Sequence, residues 1–153
     1  MKIIDMPAGR EMDLLIAEYF CGYRRTVDDT YDYEHVQHMN EILLPPGQTL
    51  DSLRNFLPPS GKISFGFFVT QKYSERIEDA WPLFQILQRK FFSTEIIARD
   101  HSDVYYIQAE PRHGHGEVYD TLIISGNGIC ETICRAALLS VGVKEVEDGR
   151  NKD

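Results

Sequence analysis

The chain has 153 residues, 42% of them hydrophobic and 26% charged, with a formal net charge of −8. This length and composition predict one folded domain over residues 1–153 and exclude an intrinsically disordered protein. An acidic chain without a run of Lys or Arg is not expected to bind DNA, and no apolar run reaches the roughly 18 residues of a membrane span. Because the N-terminus lacks a signal-peptide pattern, the cytoplasm is the expected compartment.

The first predicted element is a helix at residues 10–20. Its apolar residues recur at helical spacing, and Gly22 supplies a C-terminal stop signal. Residues 22–27 then predict the start of a strand.

Residues 26–60 differ in composition from the rest of the chain. They contain four of the seven prolines, and six acidic residues against one arginine. Because paired prolines interrupt both helices and sheets, we expect a Pro/Asp-rich surface excursion here. It carries a short helix at 50–56, opened by Thr49 or Asp51, and a minor strand at 41–44.

The middle of the chain predicts a strand followed by a long helix. Residues 62–69 are dense in β-branched and aromatic side chains, which favours a strand. The helix that follows ends near residue 92. Pro82 fits this helix if Asp79 is its true cap; otherwise the proline kinks a longer helix. The expected apolar face of the helix consists of Ile77, Ala80, Trp81, Phe84, Leu87 and Phe91.

The C-terminal third predicts three strands and a helix. Residues 94–100 and 104–109 flank a polar turn, which is a hairpin signal. A last strand at 118–124, a turn at 125–128 and a helix at 129–141 follow. The sum is an α+β fold, in which an antiparallel β-sheet meander packs with amphipathic helices.

The turn before the last helix is a candidate anion site. A helix that begins in a Gly/Asn turn directs free backbone N–H groups, and the positive end of its dipole, at whatever precedes it. A phosphate bound beside Asn127 is one interpretation, and an ordinary N-cap by Asn127 is the simpler one.

Catalytic and metal-binding patterns receive no support from the sequence. His113 and His115 with Cys130 and Cys134 fit the spacing of a zinc site poorly. The acidic residues at 28–34 are better explained as a charged loop than as a cation site. No nucleophile or dinucleotide-binding motif is present, so we expect a binding protein with no metal and no cofactor.

Arginines near aromatic residues suggest a phosphate-bearing ligand, because guanidinium groups bind phosphate through two parallel hydrogen bonds. The arginines are Arg24, Arg25, Arg99 and Arg135, and the aromatic residues are Tyr105 and Tyr106.

Three segments resemble one family of phage proteins. They are AGREMDLLIAEY at residues 8–19 with CGY at 21–23, YSERIEDAW at 73–81, and ICETICRAALL at 129–139. In this order they are similar to motifs of a phage and prophage family with an alpha-beta-alpha sandwich domain, related to the NinX-like proteins. Residues 26–60 depart from the family, whose members connect the first two motifs by a shorter route.

The resemblance implies a function in phage counter-defence. One branch of the family consists of Thoeris anti-defence sponges, oligomers that sequester the cyclic ADP-ribose signals of bacterial TIR-domain enzymes. By this resemblance the chain is expected to bind such a signal without catalysis, as a dimer or higher homo-oligomer in the cytoplasm of an infected bacterium. The expected ligand-binding residues are Arg135, the best-matched position, with Arg24, Arg25, Asn127, Tyr105 and Tyr106.

Two alternatives stay open at this point. The chain could be a phage accessory protein that acts through protein contacts and uses the acidic excursion as its partner surface. It could also be a small hydrolase of the same nucleotides.

Overall fold

The computed structural model describes residues 1–31, 37–57, 63–98, 104–110 and 122–147. Their helices and strands confirm the predicted α+β class. The helices are α1 (Arg10–Tyr19), α2 (Leu50–Leu53), α3 (Ile77–Lys90) and α4 (Ile129–Ser140), and the strands are β1 (Arg24–Tyr31), β2 (Gln37–Leu44), β3 (Ser93–Ala98), β4 (Val104–Glu110) and β5 (Leu122–Asn127). The strands form two antiparallel sheets, β1-β2 and β3-β4-β5. No helix in the described ranges is both long and apolar enough to cross a bilayer.

Among the described residues, the three-stranded sheet has one face buried against helices and one face of exposed and half-buried side chains. On the buried face, Ile107, Ala109 and Ile124 pack toward α3 and α4. Side chains alternate along a strand, so their neighbours lie on the opposite face. We call that side the open face; its exposed or half-buried residues are Ser93, Glu95, Ile97, Val104, Tyr106, Gln108, Glu110, Ile123, Ser125 and Asn127. A sandwich with helices on both faces stays a prediction.

The N-terminal elements match the sequence expectation, including the short helix and the minor strand of the excursion, but part of the excursion is not at the surface. Helix α1 and the entry into β1 are confirmed, and Thr49 caps α2 by accepting a hydrogen bond from the Ser52 N–H at 3.2 Å. Strands β1 and β2 pair antiparallel, from Arg24 opposite Leu44 to Tyr31 opposite Gln37. The expected surface position is wrong for Ile42, Leu43 and Leu44, which are buried in two hydrophobic clusters.

The predicted strand at 62–69 is wrong, because residues 65–68 form turns. The guanidinium group of Arg10 donates hydrogen bonds to the carbonyls of Gly66 at 2.6 Å and Val69 at 2.8 Å. A Cβ at Gly66 would lie 2.3 Å from Leu14 Cδ2, so α1 packs directly on this backbone. Contacts with α1 therefore override the local β propensity.

Helix α3 begins at Ile77, with Arg76 at the N-cap, so Asp79 is not its cap and Pro82 lies within the helix. The expected apolar face is wrong for Ile77 and Trp81, which are 44% and 43% exposed. The buried residues are Ala80, Leu83, Phe84 and Leu87. Packing against α4 selects this stripe, which is rotated relative to the one expected from periodicity.

The C-terminal elements confirm the antiparallel pairing of β3 with β4, the last helix, and residues 122–124 of the last strand. The predicted polar turn at 100–103 and residues 118–121 of the predicted strand lie outside the described residues. Strand β5, however, continues through Asn127, and the backbone changes direction only at Gly128, where φ is +110°. The turn predicted at 125–128 is therefore confined to Gly128, a position at which positive φ favours glycine.

Candidate functional site

The three motifs meet in one buried polar network. Every buried polar side chain in the described part of the chain comes from them: Asp13, Ser74, Glu131, Thr132 and Arg135. Buried polar groups cost free energy unless they are hydrogen-bonded, so the partners of these side chains reveal what they do.

Ser74 joins the first motif to the second. Its hydroxyl donates to Asp13 Oδ1 at 2.8 Å and accepts from the Gly9 N–H at 2.9 Å. The Ser74 N–H donates to the same Asp13 oxygen at 2.8 Å. Burial raises the pKa of the Asp13 carboxyl, although the Ser74 hydrogen bonds oppose that shift. These bonds anchor the start of α1.

Glu131 occupies the position where the sequence predicts an anion site. Its carboxylate accepts from the Ala8 N–H at 3.0 Å and from the Asn127 N–H through a short hydrogen bond. The prediction that Asn127 caps α4 is wrong, because Gly128 is the N-cap and makes no side-chain cap bond. A carboxylate of the chain itself thus satisfies backbone donors beside the N-terminus of α4.

Arg135 ties the N-terminal segment to β5. Its Nη2 and Nε donate to the Met6 carbonyl at 2.8 and 3.3 Å, and its Nη1 donates to the Ser125 carbonyl at 2.9 Å. Nη2 also lies 3.5 Å from Glu131 Oε1. The side chain is 9% exposed. Its guanidinium group is directed inward, onto backbone carbonyls and a carboxylate of the same chain.

Three of the other expected ligand-binding residues lie on the three-stranded sheet. Tyr105 and Tyr106 are adjacent in β4 and therefore point to opposite faces. Tyr106 pairs with Ser125, and Asn127 lies two residues beyond Ser125, so Tyr106 and Asn127 share the open face. Tyr105 pairs with Gly126 on the helix-covered side. Only Tyr106 and Asn127 are thus placed on one surface.

Arg24 and Arg25 lie on β1, in the other sheet. Arg25 binds both carboxylate oxygens of Glu18, at 3.0 and 3.1 Å, and Glu41 at 3.0 Å. Its guanidinium carbon lies 4.6 Å from the centre of the Phe65 ring. Arg24 is exposed and donates to the Gln48 carbonyl at 3.2 Å.

Three positions considered in the sequence analysis, Arg99, His113 and His115, lie outside the described residues. Cys130 and Cys134 are buried on α4. Among the residues that the structure describes, no group of three His, Cys, Asp or Glu side chains is arranged to hold a metal ion.

Asp13, Ser74 and Glu131 were missed as network members, although two of them carry a signal in the sequence. Asp13 interrupts an otherwise apolar stretch of α1, which predicts a buried carboxylate with a partner. Glu131 stands three residues after Gly128, the spacing at which a glutamate reaches back to backbone N–H groups at a helix start.

Comparison with known proteins leaves the resemblance as a prediction. The chain matches no protein-family model, and no curated protein or solved structure is significantly similar to it.

Proposed function

We propose that the protein binds and sequesters a cyclic ADP-ribose-type nucleotide signal without cleaving it, as a homo-oligomer in the cytoplasm of phage-infected bacteria. The observation that carries this proposal is the convergence of the three motifs. The hydrogen bond from Ala8 to Glu131 joins positions 123 residues apart, and the bonds from Ser74 to Asp13 join positions 61 apart. The three segments that resemble one family in sequence therefore also contact one another in the fold.

The proposed ligand surface is the open face of the three-stranded sheet. It presents the half-buried ring of Tyr106 beside the exposed polar side chains of Ser125 and Asn127. A ring can stack on a nucleobase, and such stacking contributes about 1–3 kcal/mol per base. Glu95 and Glu110 are the acidic residues among those that define this face, so a phosphate bound there needs cationic groups to offset their charge.

The phosphates require arginines from a second copy of the chain. The residues that define the open face include no Lys or Arg. Nanomolar binding corresponds to about −12 kcal/mol, whereas one charged hydrogen bond contributes only about 1.5–3 kcal/mol. Of the expected arginines, Arg25 and Arg135 are each held by several intrachain hydrogen bonds, whereas Arg24 is exposed and donates to the Gln48 carbonyl. We assign the phosphate contacts to Arg24 of a neighbouring copy.

The two buried carboxylates favour binding over catalysis. Asp13 accepts hydrogen bonds from the backbone and the hydroxyl of Ser74, and Glu131 accepts from two backbone N–H groups. General acid–base catalysis needs a carboxyl that can reach a substrate proton. These two carboxylates instead accept hydrogen bonds from groups of their own chain.

The test is a depletion and release experiment. Purified protein is incubated with a measured amount of cyclic ADP-ribose or an isomer, separated by filtration, and then heated. We expect the free nucleotide to fall in step with protein concentration and the intact nucleotide to return on heating. Tyr106→Ala should weaken uptake, whereas Phe56→Ala, which removes an exposed aromatic ring outside the sheet, should not.

Two outcomes contradict the proposal. If no isomer is depleted by a stoichiometric amount of protein, the sponge function is rejected. If a cleaved product is recovered, the protein is an enzyme.

A second candidate, a phage accessory protein without a small-molecule ligand, is favoured by one observation on α3. Ile77 and Trp81, one helical turn apart, are 44% and 43% exposed. Exposed apolar pairs of this kind are common in protein interfaces. If this candidate is correct, Ile77→Ser with Trp81→Ser should abolish a specific complex with a host or phage protein, and no nucleotide should be depleted.

A further inference from the structure

We propose that the exposed side of helix α3 binds the same helix of a second copy of the chain, in an antiparallel pair related by a twofold axis. The inference rests on the proposed function for its setting, a homo-oligomer, and its evidence is the surface of α3 itself. Because α3 packs on the side of the three-stranded sheet opposite the open face, this contact is separate from the one that we assign to the open face.

The exposed side of α3 carries apolar side chains among uncharged ones. Ile77 and Trp81 are 44% and 43% exposed, and Pro82 beside them is exposed as well. Gln85 and Gln88 continue the same side of the helix and are also exposed. Positions 77, 81, 85 and 88 lie three or four residues apart, so they follow one line along the helix surface. We call these four residues, with Pro82, the α3 stripe.

The ring of Trp81 is held in place by the protein core. It contacts the ring of Phe84, with centroids 5.0 Å apart and ring planes inclined by 37°. Phe84 is 4% exposed, so its own position is fixed by packing. An exposed ring that is already ordered loses little rotamer entropy on binding, and tryptophan is enriched among the residues that dominate interface energies. We therefore expect Trp81 to be the central anchor of the contact.

The local charge of this region favours a second copy as the partner. The chain carries a net charge of −8, so two copies repel each other overall. Residues 75–90 instead have no net charge, because three acidic and three basic residues balance. They are Glu75, Glu78, Asp79, Arg76, Arg89 and Lys90. The α3 stripe is thus a surface on which two acidic chains can meet without local repulsion.

The order of these charges favours the antiparallel orientation. Acidic residues occupy the first turn of α3, and basic residues occupy its last turn. A parallel pair would place like charges together at both ends, whereas an antiparallel pair places the first turn of one helix beside the last turn of the other. The helix dipoles favour the same orientation. A twofold rotation, the commonest symmetry of protein dimers, produces this arrangement.

A twofold axis between Trp81 and Gln85 brings the two stripes together. Trp81 of each copy then packs against Gln85 of the other copy, and Glu78 faces Gln88. Helix α3 has 14 residues and is therefore about 21 Å long. One helix pair of this length covers less than the roughly 800 Å² per partner of a standard interface. We therefore expect a reversible dimer that dissociates in the micromolar range.

The first test measures self-association in the absence of nucleotide. Sedimentation velocity of the wild-type protein should show a monomer–dimer equilibrium between about 1 and 200 µM. Trp81→Ser should weaken the dimer at least about tenfold, because each dimer loses the anchor residue twice. Phe56→Ser removes an aromatic ring that is 69% exposed outside α3, and this control should leave the equilibrium unchanged. Thermal unfolding followed by circular dichroism shows that each variant is folded.

The second test uses charge and does not depend on Trp81. Gln88→Glu places a carboxylate opposite Glu78 of the other copy and should weaken the dimer about three- to tenfold. Adding Glu78→Lys to Gln88→Glu places opposite charges across the twofold axis and should recover the wild-type equilibrium. Asn55→Glu adds the same charge at an exposed position outside α3 and is the matched control, which should dimerise like the wild-type protein.

Four results overturn the proposed interface. The wild-type protein stays monomeric at the highest concentration, or Trp81→Ser leaves the dimer unchanged because the copies meet elsewhere. The double variant fails to recover the equilibrium lost in Gln88→Glu, which rejects the antiparallel register. Trp81→Ser abolishes a complex with a different protein while the wild-type chain is monomeric, which gives the α3 stripe another occupant.

Nucleotide depletion by the same samples separates this inference from the function on which it rests. A dimer that is weakened by Trp81→Ser but depletes no nucleotide retains the interface and rejects sequestration. Depletion by a protein whose self-association ignores Trp81→Ser retains sequestration and rejects the interface.

Discussion

The junction between the first two motifs gives the sharpest test of the buried network. Ser74→Ala removes a hydroxyl that accepts from the Gly9 N–H at 2.9 Å and donates to Asp13 at 2.8 Å. The methyl side chain of alanine fits the same space, so the change removes hydrogen bonds without creating a clash. Any loss of stability therefore reports on the polar contacts.

The magnitude follows from the two lost partners. A buried backbone donor left without an acceptor costs about 1–3 kcal/mol, and a hydrogen bond to a charged group contributes about 1.5–3 kcal/mol. Gly9 is only half-buried, so water compensates part of the first loss, whereas Asp13 is 2% exposed. We expect a total of about 3 kcal/mol, equivalent to a fall in Tm of about 6–12 °C for a domain of this size.

The assay is urea unfolding followed by circular dichroism, with Ser140→Ala as the control. The Ser140 hydroxyl donates to the Ala137 carbonyl of its own helix at 2.7 Å, so its removal should change stability by less than about 0.5 kcal/mol. If Ser74→Ala costs less than about 1 kcal/mol, or no more than Ser140→Ala, the hydrogen bonds of Ser74 do not join the motifs energetically.

Three further predictions concern groups around the same core. Burial raises the pKa of Asp13 in the folded protein above its ordinary 3.8. The protonated carboxyl therefore contributes to the stability of the fold below pH 3.8, and this contribution is lost as the pH rises through the folded-state pKa. Urea unfolding of Asp13→Asn should therefore show a flatter dependence on pH above pH 3.8 than the wild-type protein does. Burial also raises the pKa of Cys134 well above its ordinary value, which keeps this thiol unreactive in the folded protein. Mass spectrometry after iodoacetamide treatment should find that half-exposed Cys21 is labelled first and that Cys134 is labelled only on unfolding. Gly126→Ala should cost about 1–3 kcal/mol in the same unfolding assay, because its Cβ would overlap Thr132; a cost below about 0.5 kcal/mol would contradict the close packing of β5 on α4.

Elements with strong local signals could be predicted from the sequence. Helices α1 and α4 follow from apolar residues at helical spacing, and the β3-β4 hairpin follows from two β-rich runs around a polar turn. The cap of α2 by Thr49 follows from the preference of helix starts for short hydroxyl side chains. In each case the signal lies within a few residues of the structure that it specifies.

Features that depend on distant partners could not be predicted in this way. The run at 62–69 has the composition of a strand, yet Arg10 binds its carbonyls and turns form instead. Trp81 has the side chain of a core residue, but α4 packs against the neighbouring stripe of α3 and leaves Trp81 43% exposed. The partners responsible lie tens of residues away, beyond the reach of a periodic pattern.

The sequence by itself determined the α+β class and most of the helices and strands. Only the tertiary structure decided that residues 8–19, 73–81 and 129–139 meet, that Arg135 and Glu131 bind backbone groups of their own chain, and that Tyr106 and Asn127 lie on the same face of the three-stranded sheet. The physical reason is that propensity and periodicity act over one or two turns of backbone. The partner of a buried charge is instead chosen by whichever groups the assembled core brings within about 3 Å of it.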